Sequence, residues 1–515
     1  MVIAHTDKGR LLSYLAPAIK NDIPPLYYSR DHFSGKVSSC LKPSDCCACA
    51  GTHSQNVSEK NNMVVSEGSI IKQGVLSLWE CQLSPPAQLP EPKPLPILWE
   101  QIHGINIGFV YGIYEELNLT NRTGNGYLLE SPEGLEMIHS TDPSVTVIGN
   151  GSYYGSAEDG TLRVLYQPNT THLTDFISPT VTAQCIEFFT DTLGLSTDLS
   201  PHNQLYLIKE LCNLAALAAL ICLIVPCGEL VLQAPCFKSI RSGTISTEGM
   251  EPNRKELWYG FGAITIFSLA GFLVSNTIDT NLLLFQVGPQ SNAAFFPLNE
   301  CNIVMVWMLI FAIGNFVWLF LRRGLMMKNS HGSAAALGLK TDGGSLGKTA
   351  GASAAVVAVL YNLVWLSKWL FNVDFRFWKV AVKQFNNEKL IYFIQYLPVW
   401  FLFLLSVSLL TNCLWNYKSK HPYRDLLLMG VGFACGGLLV WLIQYGKLFL
   451  TGTVLWSNMN GVASVALKNW ILILAPLMLR AFYRLTGKNW FGPITLSVFF
   501  TLVSVSTTTI QNYML

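Results

Sequence analysis

The side chains whose types and spacing could do chemistry fall in a few places. Cys40, Cys46, Cys47 and Cys49 form a C-x5-C-C-x-C string near the start of the chain. Structural zinc sites are built from paired C-x2-C steps, and this order lacks the pairing, so the stretch reads as a solvated loop and no metal is expected. Gly343-Gly344-Ser345-Leu346-Gly347 spells G-x-S-x-G, a string that in a strand-to-helix turn can expose a nucleophilic serine. Here no strand-like run feeds it, and a chance match in a loop of small residues is the better reading. The overlapping DGGSLGKT misses a phosphate-binding loop because Asp342 stands where the first glycine belongs, and no cofactor is implied. Two carboxylates, Glu115 and Glu116, follow the apolar run INIGFVYG (105–112), and His172 ends TLRVLYQPNTTH (161–172). Carboxylates and imidazoles are the usual proton-handling side chains, although exposed surface roles would suit all three equally.

The elements that must position these groups follow from composition. The 515-residue chain is 50% hydrophobic and only 13% charged, with a mean hydropathy of +0.35. Soluble domains carry about 25% charged residues, so the chain reads as a polytopic membrane protein whose main partner is the lipid bilayer. A net charge of +2 and the absence of a basic stripe with interleaved aromatics exclude a nucleic-acid partner.

A span needs about 20 mostly apolar residues. Candidates run over Leu207–Leu232, Leu257–Ile278, Ile303–Leu321, 350–371, Leu390–Trp415, Leu426–Leu448, Val462–Leu479 and Phe491–Ile510. That makes about eight, the seventh being interrupted by Lys468 and Pro476. Lys238, Arg241, Arg254 and Lys255 follow the first span, whereas the loop from Asp279 to Glu300 has no Lys or Arg. Basic residues return in the third loop, the fifth and the one before the last span. Short loops rich in Lys and Arg stay cytoplasmic, so both termini and residues 1–205 are expected outside the cytoplasm, with the chain in the cell membrane. One basic loop, 372–389, falls on the outer side; Phe375, Trp378, Val382 and Phe385 recur there at helical spacing, which predicts an amphipathic helix lying in the interface, with a solvated loop or a helix extension as the alternatives.

Residues 1–95 show little periodicity and end in the proline-rich SPPAQLPEPKPLP (84–96), so they are expected to be poorly ordered. They lack a charged stretch followed by an apolar core, and a missing natural N-terminus is the expectation. From Pro96 the pattern sharpens. INIGFVYG and TLRVLY read as strands, and VTVIG (145–149) as a short one. Ser178 is a plausible N-cap with Pro179 as the first helical residue; Val181, Cys185, Phe188 and Phe189 then share a face until Gly194 closes the helix. Glycosylation sequons occur at Asn56, Asn118, Asn121, Asn150 and Asn169, all before the first span.

This order of strand, carboxylate, strand, histidine and final helix resembles the C-terminal third of an α/β-hydrolase domain. It is similar in particular to bacterial membrane-anchored α/β-hydrolases, in which such a domain precedes a multi-span region. The resemblance covers residues 96–200 and the layout beyond, and the sequons are then chance matches. It implies that His172 is the general base and that Glu115 or Glu116 takes the acid position, where the family usually has Asp. A complete relative would cleave an acyl ester, thioester or amide with a serine held on a G-x-S-x-G elbow upstream of the acid. Residues 1–104 contain no such string, so a truncated and inactive hydrolase domain is expected.

The fold class is therefore mainly α, a polytopic helix bundle over 205–515 preceded by a small incomplete α/β unit over 96–200. The alternative functions are a multi-span transporter or permease, for which Lys468 is the best intramembrane candidate, and a non-catalytic membrane scaffold. No cofactor is expected in any of these readings.

Overall fold

The computed structural model describes residues 2–3, 74–77, 104–116, 128–241, 254–277, 296, 298–326, 337–378, 380–415, 421–456, 462 and 468–508. Most of residues 1–95, with the four clustered cysteines, lies outside them. The chain divides into two compact units: Met1–Leu207 with Tyr445–Ser457 and Asn512–Leu515, and Ile208–Gln444 with Asn458–Gln511.

The first unit is built on a five-stranded sheet. Its strands are β1 (Val2–Ile3), β2 (Gly74–Ser77), β3 (Ile105–Val110), β4 (Tyr153–Tyr154) and β5 (Arg163–Tyr166), in the order β1-β2-β3-β5-β4. All pairings are parallel except that of β4 with β5. Side chains alternate between the two faces of a strand, and the sequence uses both. Ile105, Ile107 and Leu165 pack with Met137 and Ile138 of helix α1 (Pro132–His139). Val164, Tyr166 and the preceding Leu162 pack on Phe188 of helix α2 (Pro179–Thr192). Gly108 on β3 is what lets Phe188 sit so low: a Cβ there would lie 3.1 Å from its ring.

The expected start of α2 is present: Ser178 accepts from the Val181 amide and Pro179 opens the helix. Gly194, at φ +58°, follows its end. VTVIG is not a strand. Its residues form bends and irregular backbone between Asp142 and Asn150, with Ile148 buried in the core beside α1 and Val145 packed against it. Helix α1, begun by Ser131 accepting from Gly134 N, was not evident from the sequence.

Among the described residues the second unit is helical apart from one hairpin. The first apolar run is two helices, α3 (Tyr206–Cys222) and α4 (Ile224–Val231), parted at Leu223. Pro226 explains the break, since it has no N–H to give the carbonyl four residues back. Then come α5 (Arg254–Thr277), α6 (Asn299–Met326), α7 (Gly343–Phe371), α8 (Leu390–Leu409), α9 (Pro422–Thr451), α10 (Asn469–Thr486) and α11 (Phe491–Thr507). Six of the segments are long and apolar enough to cross a bilayer: Tyr206–Val231, Trp258–Ser275, Cys301–Arg322, Gly343–Phe371, Leu390–Leu414 and Pro422–Thr451. A multi-pass membrane protein accounts for them. The last two expected spans are helices as well. However, α10 begins after Lys468 and carries Arg480 and Arg484, and α11 is a shorter apolar helix.

The amphipathic helix expected over 372–389 is replaced by an antiparallel pair, β6 (Phe375–Phe377) and β7 (Val380–Val382). The period is two rather than helical, as FRF and VAV dictate, and Trp378 at φ +53° makes the turn. Asn372, left-handed at φ +52°, ends α7 before it.

A polar seam runs through the second unit. Beyond α8 the chain widens into a π turn at Leu410–Leu414, in which Trp415 N reaches Leu410 O at 2.9 Å. Ser408 Oγ and Asn412 Nδ2 both donate to Asn489 Oδ1 at 2.8 Å. Arg480 Nε donates to Asn412 Oδ1 at 2.8 Å, and its Nη2 donates to the Thr411 carbonyl. Lys468 takes no part in the seam and sits at the N-cap of α10.

Candidate functional site

In open parallel sheets, ligand-handling groups gather beyond the C-terminal ends of the strands. The three sequence-predicted residues lie there, on the two segments that continue β3 and β5. Those segments stay zipped past the strands proper. Tyr111 N donates to Tyr166 O at 2.9 Å, Ile113 N to Pro168 O at 2.9 Å and Tyr114 N to Thr170 O at 3.0 Å. Gly112 makes this approach possible, since a Cβ there would lie 2.5 Å from the Thr170 carbonyl oxygen.

The zipper brings Glu115 and Glu116 against His172, and all three are buried, at 0%, 3% and 2% exposure. His172 Nδ1 lies 3.3 Å from Glu115 Oε1. That spacing is an ion-pair approach rather than a completed hydrogen bond, as acid–base contacts often are before a substrate tightens them. Glu116 binds the backbone beside the ring: its Oε2 accepts the His172 amide at 2.8 Å. Its Oε1 accepts the hydroxyl of Tyr445 at 2.7 Å. Burial pushes the Glu116 carboxyl above its ordinary value of 4.5, against the opposing pull of the Tyr445 hydroxyl and of nearby backbone amides.

Tyr445 lies in α9, whose last turns belong to the first unit. Aromatic rings lie beside the pair. Phe449 meets Tyr114 edge-on at 5.0 Å and Tyr445 at 5.9 Å, and Phe176 meets the His172 ring edge-on at 5.9 Å. Exclusion of water by such rings strengthens each electrostatic contact inside.

Sequence reasoning missed Tyr445, which is 329 residues from Glu116. A tyrosine near the end of an apolar span is ordinary, and nothing local marks its partner. A second buried ion, Arg163 at the start of β5, donates from Nη1 to the carbonyls of Ile105 and Leu162 at 2.8 and 3.0 Å. Burial pulls its guanidinium down to about 10.

The G-x-S-x-G string at 343–347 is the first turn of α7, with Asp342 as N-cap accepting from Ser345 N at 2.9 Å. Among the described residues no strand leads into it, so it lacks the strand-to-helix turn an activated serine needs. Apart from Ser77, which ends β2, the serines of the opening hundred residues lie outside the described residues. Asn150, one of the sequon asparagines, uses its amide on the backbone of Gln167. No group of three or more His, Cys, Asp or Glu suited to a metal occurs among the described residues.

The arrangement can hold a proton on the Glu115-facing nitrogen of an imidazole and keep that ring dry. No family model, curated protein or solved structure matches the chain, so the geometry carries the functional reading alone.

Proposed function

We propose that this is an integral membrane protein whose sheet unit carries the acid–base end of an α/β-hydrolase, with no G-x-S-x-G elbow upstream of the acid to present a serine. The single observation behind the reading is the buried Glu115–His172 pair at 3.3 Å, set past the ends of two adjacent parallel strands and followed by a helix. That is the order in which α/β-hydrolases present acid and base. Glu115, on the ring, takes the acid role; Glu116, on the backbone, does not. A complete enzyme of this kind cleaves an acyl ester, thioester or amide, and a base without a nucleophile does no acyl transfer.

The unit is assigned to the outer side of the cell membrane. The Lys and Arg distribution supports this, as does the grouping of Tyr445–Ser457, the end of α9 and the stretch after it on the same predicted side, with residues 1–207. Helices α10 and α11 are read as a further pair of crossings, making eight, with the basic end of α10 (Arg480, Arg484) and Lys488 cytoplasmic.

Treatment of the full chain in membranes with a fluorophosphonate probe tests the proposal. No labelling is expected. Labelling that disappears in His172→Ala would overturn the inactivity and reveal a serine within reach.

The transporter reading draws on the polar seam of Ser408, Asn412, Arg480 and Asn489, because buried polar groups in spans mark either solute paths or helix contacts. Here the groups bond one another, which favours helix contact. Solute flux in vesicles abolished by Asn412→Ala would reverse that preference.

A further inference from the structure

We infer that Tyr445 and Glu116 are positioning residues for His172, a phenol–carboxylate–amide clamp that fixes the turn carrying the imidazole against Glu115. The inference rests on the reading of Glu115 and His172 as an acid–base pair.

The argument starts from what a buried carboxylate requires. Out of water, each oxygen needs a donor. Glu116 spends Oε2 on the backbone amide of His172 at 2.8 Å and Oε1 on the Tyr445 hydroxyl at 2.7 Å. The first bond holds the main chain at the very residue whose ring faces Glu115. The second holds the carboxylate itself. On the opposite side, the zipper from Ile113 to Pro168 and from Tyr114 to Thr170 holds the same turn.

Packing ties the clamp to Glu115 as well. The rings of Tyr445 and Tyr114 share one neighbour, Phe449, at 5.9 and 5.0 Å. Tyr114 precedes Glu115 in the chain, so the tripeptide Tyr114-Glu115-Glu116 is gripped at both ends by the last turns of α9. Neighbouring carboxylates thus divide the work, one on the ring and one on the backbone beneath it. A hydroxyl is essential for this division and an aromatic ring alone is not.

Solid-state NMR of the full chain in lipid vesicles, labelled with ¹⁵N-histidine, tests it, with His172→Gln identifying the signals. Ring nitrogen shifts report which nitrogen holds the proton. In the wild type the Nδ1-protonated form should outweigh the other by roughly tenfold or more, as the Coulomb field of a carboxylate 3.3 Å away favours. Tyr445→Phe should average the two forms. Glu116→Gln should do the same, since an amide offers only one acceptor oxygen for two donors. The double variant should add nothing, because both changes break one linkage.

Lys447→Ala removes a neighbouring bond at the same helix end, from Nζ to Val454 O at 2.9 Å, and should leave the wild-type shifts. Wild-type shifts in Tyr445→Phe would overturn the clamp. So would equal averaging in Lys447→Ala, or additive effects in the double variant. Glu115→Gln separates the two levels: shifts unchanged there would sink the acid–base reading itself, whereas a change there with none in Tyr445→Phe sinks the clamp alone.

Discussion

Replacing Gly112 with alanine probes the zipper that assembles the site. No positive φ is involved at Gly112, so the added methyl acts through space alone. Its Cβ would lie 2.5 Å from the Thr170 carbonyl oxygen, whereas ordinary contact begins at 3.4 Å, a shortfall of 0.9 Å. The obstacle is backbone and cannot swing aside. If the two segments part by that amount, the Tyr114–Thr170 bond of 3.0 Å opens to roughly 3.9 Å, beyond hydrogen-bonding range. The Ile113–Pro168 bond one residue on is pulled with it. Two backbone bonds at about 0.5–1.5 kcal/mol each give a local loss of about 1–3 kcal/mol. Overpacking a tight site carries a cost of the same order, about 1–3 kcal/mol. Hydrogen exchange read by mass spectrometry on peptides covering 105–116 and 163–173 measures this directly. Exchange in both should speed up by about tenfold or more, corresponding to at least 1.4 kcal/mol, while peptides from α7 stay unchanged. Wild-type protection at 113 and 114 would refute the claim that this glycine governs the approach of the two segments.

The remaining predictions concern separate parts of the chain. Because Glu116 is held above 4.5 in the folded protein, its contribution to stability is full below that pH and is lost as pH rises through the elevated value. Unfolding measured from pH 4 upward should therefore show a falling segment that Glu116→Gln flattens; identical profiles would contradict the burial argument. Ser178→Ala removes the cap on Val181 N and should cost about 0.5–2 kcal/mol, seen as faster exchange over the first turn of α2. Asn489→Ala leaves the Ser408 and Asn412 donors buried without their acceptor. It should cost about 1–3 kcal/mol and lower the thermal midpoint of the full chain in detergent.

Much of the architecture was legible because its signals are local. A run such as Leu390–Leu414 announces itself by length and composition, and Ser178-Pro179 by capping chemistry. The strands β3 and β5 and the turn into His172 could be read from apolar runs ended by Gly112 and Pro168. Local signals misled where two periods compete. In 375–382 the aromatics fit a helical spacing, yet short aromatic and β-branched segments flanking a turn pair as a hairpin. VTVIG is β-branched but is followed by the turn-forming Asn150-Gly151. Neither the division of labour between Glu115 and Glu116 nor the arrival of Tyr445 could be read, since the first depends on a contact 56 residues away and the second on one 329 residues away. The seam around Arg480 was hidden for the same reason: its members come from α8, the π turn, α10 and the loop before α11.

The π turn after α8 has a consequence for how this chain can vary. In an unbroken α ladder the Thr411 carbonyl would take the Trp415 amide; here that amide goes to Leu410, and Thr411 accepts Arg480 instead. One surplus residue thus creates one vacant acceptor, and a guanidinium occupies it. Deleting a single residue from 410–414 would restore the tighter spiral, return the amide to its regular partner and displace the arginine from its seat. The extra residue and the cation are consequently a matched set, to be gained or lost together.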